Sequence, residues 1–132
     1  MSSTTSSAPA TITFNGQPAL QLQSPDGAQA VVLLHGAHLV SWRPAGPDRQ
    51  PGDEQLYLSE RAIYAEGQAV RGGVPVIFPQ FEQRGPDVSL PRHGLARTRT
   101  WQVDEVREGK DHAQVTLFLT DDDSTRAWWP HQ

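Results

Sequence analysis

Hydrophobic and polar positions alternate along this chain in short bursts separated by turn residues. Thr11-Ile12-Thr13-Phe14 alternates with a period of two, Asn15-Gly16 is a two-residue hairpin signal, and Ala19 to Gln23 resumes the alternation. Pro25-Asp26-Gly27 marks a second turn, and Gln29 to Leu34 is a short apolar run of buried-strand type. Gly36 interrupts it before His38 to Trp42 continues. Arg43 to Glu54 reads as a loop, Gln55 to Leu58 as a short strand, and Ser59 to Glu66 as at most one helical turn without an apolar face. Val74 to Phe81 is apolar, yet Pro75 and Pro79 keep it out of the middle of a hydrogen-bonded sheet. Glu82 to Pro91 is a polar loop. Thr100 to Val106 and Ala113 to Thr120 are the clearest late strands, with Val115, Leu117 and Leu119 on one face. The pattern predicts about eight strands, no helix longer than two turns, and an all-β sandwich or barrel. Trp42 and Trp101 fall within strand patterns, which predicts that they pack in the core.

Composition narrows the class. Gly and Pro number 11 each in 132 residues, a density of backbone punctuation that excludes a helical bundle. The absence of Cys removes disulfides, zinc-thiolate sites and thiol chemistry together. A net charge of −4 gives no general attraction to nucleic acid. No apolar run approaches the roughly 18 residues of a membrane span, and Met1 to Ala10 lacks the regions of a signal peptide. The expectation is a cytoplasmic protein with neither nucleic-acid nor membrane partner. Residues 1–10, rich in Ser and Thr, are expected to be a disordered polar head, and 11–132 a portion of one β-sandwich domain. The chain ends on Trp128-Trp129-Pro130-His131-Gln132, two large aromatics with little following to bury them, and is expected to be truncated at its C-terminus.

Candidate chemistry concentrates between Val70 and Arg99. Five of the 11 basic residues of the chain lie there (Arg71, Arg84, Arg92, Arg97 and Arg99) against Glu82 and Asp87, so the segment carries about +3 inside an acidic protein. Gly72 and Gly73 let the backbone beside Arg71 approach a ligand closely or take positive φ. Arg97 follows His93 by four residues and is expected to begin a strand. Guanidinium forks hold phosphate oxygens bidentately, so arginines with a nearby His suit an anionic ligand. The competing account is that these arginines are solvated loop and strand-end residues.

The segments VRGGVPVIFPQF and LPRHGLARTRTW together resemble the signature of the hexose-6-phosphate mutarotases, the glucose-6-phosphate 1-epimerases of the aldose 1-epimerase (galactose mutarotase-like) superfamily. Supporting similarity runs through LLHGAHLVSWRPAG, LYLSERAIYAEGQ and VTLFLTDDDSTRAWWPH, so the resemblance covers about 120 of the 132 residues, in family order. It implies a β-supersandwich of roughly twice this length, of which this chain would be the N-terminal half. It implies that Arg71 and Arg97 contact a hexose 6-phosphate and that His93 lies at the sugar, polarising or orienting a hydroxyl. The position before the motif His is often Gln in the family; here it is Arg92, which is expected at the same site. The family's acid, a His, and its base, a Glu, lie in motifs beyond the end of this chain. No catalytic residue is therefore expected within it, and the 132-residue chain alone is expected to be inactive. No metal and no organic cofactor is implied, since proton transfer at a hemiacetal requires neither.

Glu82 or Asp87 with His93 could be imagined as a substitute acid/base pair, though nothing in the spacing demands it. His35 and His38 flank Gly36-Ala37 and would face opposite sides of a strand, which favours strand-edge histidines over a metal site. Asp121-Asp122-Asp123 lacks the spacing of a calcium loop and reads as a solvated turn. Two alternatives to an isomerase remain: a non-catalytic carbohydrate or sugar-phosphate binding module on the same architecture, and a partner half that assembles with a separate C-terminal piece.

Overall fold

The computed structural model describes residues 10–65, 67–85 and 90–130. The expected polar head lies outside these residues except for Ala10, which opens the first strand. Four strands, β1 (Ala10–Phe14), β2 (Gln17–Gln23), β3 (Gln29–Leu33) and β4 (His38–Arg43), form an antiparallel meander in the order β1-β2-β3-β4. The Asn15-Gly16 turn, with both residues at positive φ, sets the first hairpin and pairs Phe14 with Gln17. Strands β5 (Gln102–Glu108) and β6 (Ala113–Phe118) form a separate two-stranded sheet whose β6 lies against β2. A four-residue helix, α1 (Asp123–Arg126), follows. The described residues thus hold six strands, fewer than the eight read from the sequence, and the all-β class stands.

Register places one row of side chains across the core face. Ile12 pairs with Ala19, Ala19 with Leu33, and Leu33 with His38, so the four stand side by side. Ala19, Val31, Leu33, Val40 and Val70 make the buried cluster, with Phe14, Leu58 and Tyr64 packed around it. The Phe14 and Tyr64 rings meet edge to face, with centroids 5.8 Å apart.

Two expected elements dissolve into irregular backbone. Gln55 to Leu58 is not a strand: Leu58 forms only an isolated bridge to Gly72, and the Gln55 N–H donates to the Trp42 carbonyl at 2.9 Å. The carboxylate of Glu54 gathers the N–H groups of Trp42, Gln55 and Leu56 together with the Ser41 hydroxyl, and this local cluster replaces ladder pairing. Of the expected turn of Ser59 to Glu66, residues 59–65 are described and form no helix; a bond from the Ala62 N–H to the Ser59 carbonyl closes a turn.

Trp42 does not reach the core and is 39% exposed. A bulge between Val31 and Val32 skips Val40, so Trp42 pairs with Ala30 and turns to the face opposite the cluster. Trp101 is half-buried, its indole N–H donating to the Ala96 carbonyl at 3.0 Å.

Candidate functional site

Val70 to Val74 runs along the free edge of β4. The backbones of Leu39 and Val74 exchange hydrogen bonds at 3.2 and 2.8 Å, while Gly73 donates to the Tyr57 carbonyl at 2.8 Å on the other side. Gly73 sits at φ +63°, and a Cβ there would collide with the Leu39 carbonyl and stand 3.0 Å from Nε2 of His38. Only glycine allows the segment to lie this close to β4. Arg71 is exposed beside this pinned backbone and shares a cavity of about 460 Å³ with Tyr57, Ser59, Glu60 and Arg61. Its carbonyl accepts the Ser59 N–H at 3.0 Å, which fixes the main chain and leaves the guanidinium outward.

The second segment folds back on Phe78 to Glu82. The Phe78–Pro79 peptide is cis, and the Phe78 carbonyl accepts the N–H groups of Leu95 at 2.9 Å and Ala96 at 3.3 Å. His93 sits in the left-handed region at φ +64°. Its Nδ1 accepts the Glu82 N–H at 2.9 Å, its own N–H donates to the Glu82 carbonyl at 3.0 Å, and its ring packs on Phe81 with centroids 5.0 Å apart. With Nδ1 occupied as an acceptor, the neutral ring carries its proton on Nε2, so Nε2–H is its free donor.

Arg97 does not begin a strand, as its sequence position had implied; it lies in a 3-10 turn, Ala96–Thr98. The reason is the neighbouring backbone: Gly36 donates to the Arg99 carbonyl at 2.6 Å and Trp101 to the Leu34 carbonyl at 2.8 Å, so the isolated bridge of Thr100 to His35, after β3, forms only beyond the turn. One Nη of Arg97 donates to the Arg92 carbonyl at 3.0 Å, while its Nε is buried without a partner. Burial, and after it the charge of Arg92, lowers the pKa of Arg97 below the ordinary guanidinium value. Arg92 itself is exposed and pairs with Glu82 at 3.1 Å; Arg84 pairs with the other Glu82 oxygen at 3.3 Å.

The structure therefore brings Arg92, His93 and Arg97 together around one loop. Arg71 lies on the neighbouring β4-edge segment, in the hollow it shares with Arg61. The sequence offers Glu82 only as a substitute acid/base partner of His93. Its carboxylate instead faces two guanidinium groups while its backbone holds His93, so it serves the cluster as a clamp and counter-charge. The signal that could have found this is its place as one of two acids in the basic segment from Val70 to Arg99. Asp87 lies outside the described residues.

His35 and His38 are both buried, at 3% and 1% exposure, and His38 opens the edge strand β4. Gly36 and Ala37 both take positive φ, which breaks the strand alternation between them. Nε2 of His35 donates to the Gln68 carbonyl at 2.5 Å, and Nε2 of His38 to the Gly72 carbonyl at 2.6 Å. Among the described residues, no group of three or more His, Asp or Glu is placed to hold a metal ion. The Asp121 to Asp123 run caps α1, with the Asp122 carboxylate accepting the Thr125 N–H at 2.9 Å. No helix of the described residues is long and apolar enough to cross a membrane.

Comparison with known proteins adds a separate line. The aldose 1-epimerase family model matches residues 18–132. An Escherichia coli K12 protein named "Putative glucose-6-phosphate 1-epimerase" is 41% identical over 105 residues, covering 78% of this chain and 33% of that protein. A Cenchrus ciliaris protein of the same name is 32% identical over 126 residues, covering 83% of this chain and 36% of that one. The crystal structure of a "putative mutarotase" from Salmonella typhimurium superposes with a TM-score of 0.73 at 30% identity, covering 93% of this chain and 43% of that one. The chain thus spans about a third of the length of the two curated relatives.

Proposed function

The chain belongs to the aldose 1-epimerase family, and from that premise we propose that it forms the phosphate- and sugar-binding part of a hexose-6-phosphate 1-epimerase acting in the cytoplasm. The observation that carries the reading is the seating of Arg97, part-buried and bonded to the Arg92 carbonyl, within electrostatic reach of the exposed Arg92 guanidinium. Like charges are unfavourable neighbours unless a counter-charge is shared. Glu82 supplies part of that charge through exposed pairs worth about 1 kcal/mol or less, which a phosphate can displace at little cost.

Interconversion of anomers requires a base to take the proton of the C1 hydroxyl while an acid protonates the ring oxygen. The C1–O5 bond then breaks to give the open aldehyde, and closure on the other carbonyl face reverses both transfers. The sugar must stay bound while the carbonyl rotates, and the 6-phosphate is the natural handle. In this reading Arg71, Arg92 and Arg97 hold the phosphate and sugar, and His93 offers Nε2–H to a sugar hydroxyl. The proton-transferring His and Glu come, in this reading, from the remainder of the family fold.

The test is anomer exchange of glucose 6-phosphate followed by NMR, alongside binding of glucose 6-phosphate and of glucose. The 132-residue chain should prefer the phosphorylated sugar and leave exchange at the buffer rate. Joined to the family's downstream half, it should accelerate exchange. Equal binding of the two sugars would remove the phosphate role. Binding without acceleration by the joined protein would favour a non-catalytic sugar-phosphate module.

A further inference from the structure

His38 occupies a position that the core pattern reserves for an apolar side chain. It ends the row Ile12, Ala19, Leu33, His38, and at 1% exposure it is as buried as Leu33 and Val40. A buried polar group in such a row calls for partners, since one left unmade costs about 1–3 kcal/mol. One partner is present. The Gly72 carbonyl, an acceptor only, lies 2.6 Å from Nε2, which must therefore carry the proton. In the neutral ring, Nδ1 is then a bare acceptor, and it is buried without a partner among the protein groups.

A second buried orphan has the opposite polarity. Arg97 Nε–H is a donor only, and it too lacks a protein partner. The two residues sense each other. Burial first lowers the pKa of His38, the Gly72 bond opposes that, and the charges of His35 and then Arg97 lower it further. The backbones meet as well, because a Cβ on Gly36, two residues before His38, would stand 2.6 Å from the Arg97 carbonyl oxygen.

We propose that His38 is a positioning residue that couples the turn bearing Arg71 to the Arg97 guanidinium, donating from Nε2 to the Gly72 carbonyl and accepting at Nδ1 through one water that Arg97 Nε–H also reaches. The link sets the guanidinium plane of Arg97 relative to the Arg71 turn. Its consequence for ligand binding rests on the phosphate reading above; the link itself does not.

The experiment is long-range ¹H–¹⁵N NMR on the 132-residue chain at pH 8, with Arg97 Nε–H exchange measured in wild type, His38→Gln and His38→Asn. Gln reproduces the Nε2 donor and lacks an acceptor at Nδ1; Asn places an amide oxygen near Nδ1 and loses the Gly72 bond. The expected result is a wild-type ring protonated at Nε2 and a protected Arg97 Nε–H. That proton should exchange about tenfold faster in His38→Gln and be at least partly protected again in His38→Asn. A ring protonated at Nδ1, or unprotected Arg97 Nε–H in wild type, overturns the proposal without any variant having to fold. Titration with glucose 6-phosphate forms the second arm, where His38→Gln should bind about tenfold more weakly. If wild type shows the NMR signature and does not bind glucose 6-phosphate, the link stands and the phosphate reading falls; binding without the signature gives the reverse.

Discussion

Glu82 and His93 hold each other by two hydrogen bonds that run in opposite directions, one from the Glu82 N–H to the imidazole Nδ1 and one from the His93 N–H to the Glu82 carbonyl. The arrangement fixes the ring plane, its tautomer and the loop reversal at once. It also maintains His93 at φ +64°, a region that costs most residues about 1–2 kcal/mol and Asn much less. His93→Asn can keep an acceptor for the Glu82 N–H and tolerates this backbone, whereas His93→Ala leaves that donor unmet. Denaturant unfolding should therefore find His93→Ala less stable than wild type by about 1–2 kcal/mol and His93→Asn within about half of that loss. Equal destabilisation by the two variants would remove the Nδ1 contact as the anchor.

Gly36 governs the seating of Arg97. It takes φ +78°, and a Cβ there would lie 2.6 Å from the Arg97 carbonyl oxygen. Gly36→Ala must shift the 3-10 turn or lose the Gly36–Arg99 bond, at a cost of about 2 kcal/mol or more from strain and the lost contact together. Amide chemical-shift changes should concentrate at residues 96–100. Changes confined to residues 35–37 would show that the turn is seated independently.

His38 gives the molecule a pH-dependent stability. Burial chiefly, with the charges of His35 and Arg97, favours its neutral form in the folded state. An unfolded imidazole binds a proton below its ordinary pKa of 6.5, so the unfolded state takes up more protons than the folded one as pH falls. The contribution of His38 is thus fully present above pH 6.5 and is lost on acidification below it, with a slope of at most about 1.4 kcal/mol per pH unit. Thermal or urea unfolding between pH 7.5 and 5 should show the decline, and His38→Gln should reduce its slope. An unchanged slope in a folded His38→Gln variant would assign the titration to other groups.

What the chain disclosed before folding depended on how local each determinant was. The first four strands follow from alternation and from Asn15-Gly16 and Pro25-Asp26-Gly27, and their edges fall within about two residues of the expected ones. Gln55 to Leu58 was misread because its carbonyl and N–H partners come from Trp42 and Gly73 and from the Glu54 carboxylate, none of which local pattern encodes. Trp42 was misplaced by a single-residue bulge, which no apolar periodicity announces. The clustering of Arg92, His93 and Arg97 around one loop was legible because one short motif carries all three. Glu82 and His38 were not, since their roles lie in partners about 10 and 34 residues away.

Arg92 offers the most direct test of the anion-binding role, because its fold contacts are weak. Its side chain is 66% exposed and pairs with Glu82 at 3.1 Å, an arrangement worth about 1 kcal/mol or less. Arg92→Gln should leave unfolding within about 1 kcal/mol of wild type. If Arg92 grips phosphate, its loss removes charge-assisted bonds worth about 1.5–3 kcal/mol and weakens glucose 6-phosphate binding roughly tenfold to a hundredfold. Binding of unphosphorylated glucose should hardly change. Arg84→Gln is the internal control, since Arg84 also pairs with Glu82, at 3.3 Å, and is assigned no part in the ligand site. Isothermal titration of both variants with both sugars separates the cases. Equal weakening by Arg84→Gln and Arg92→Gln would mean that the loop contributes only its overall charge, and that Arg92 holds no specific place on the phosphate.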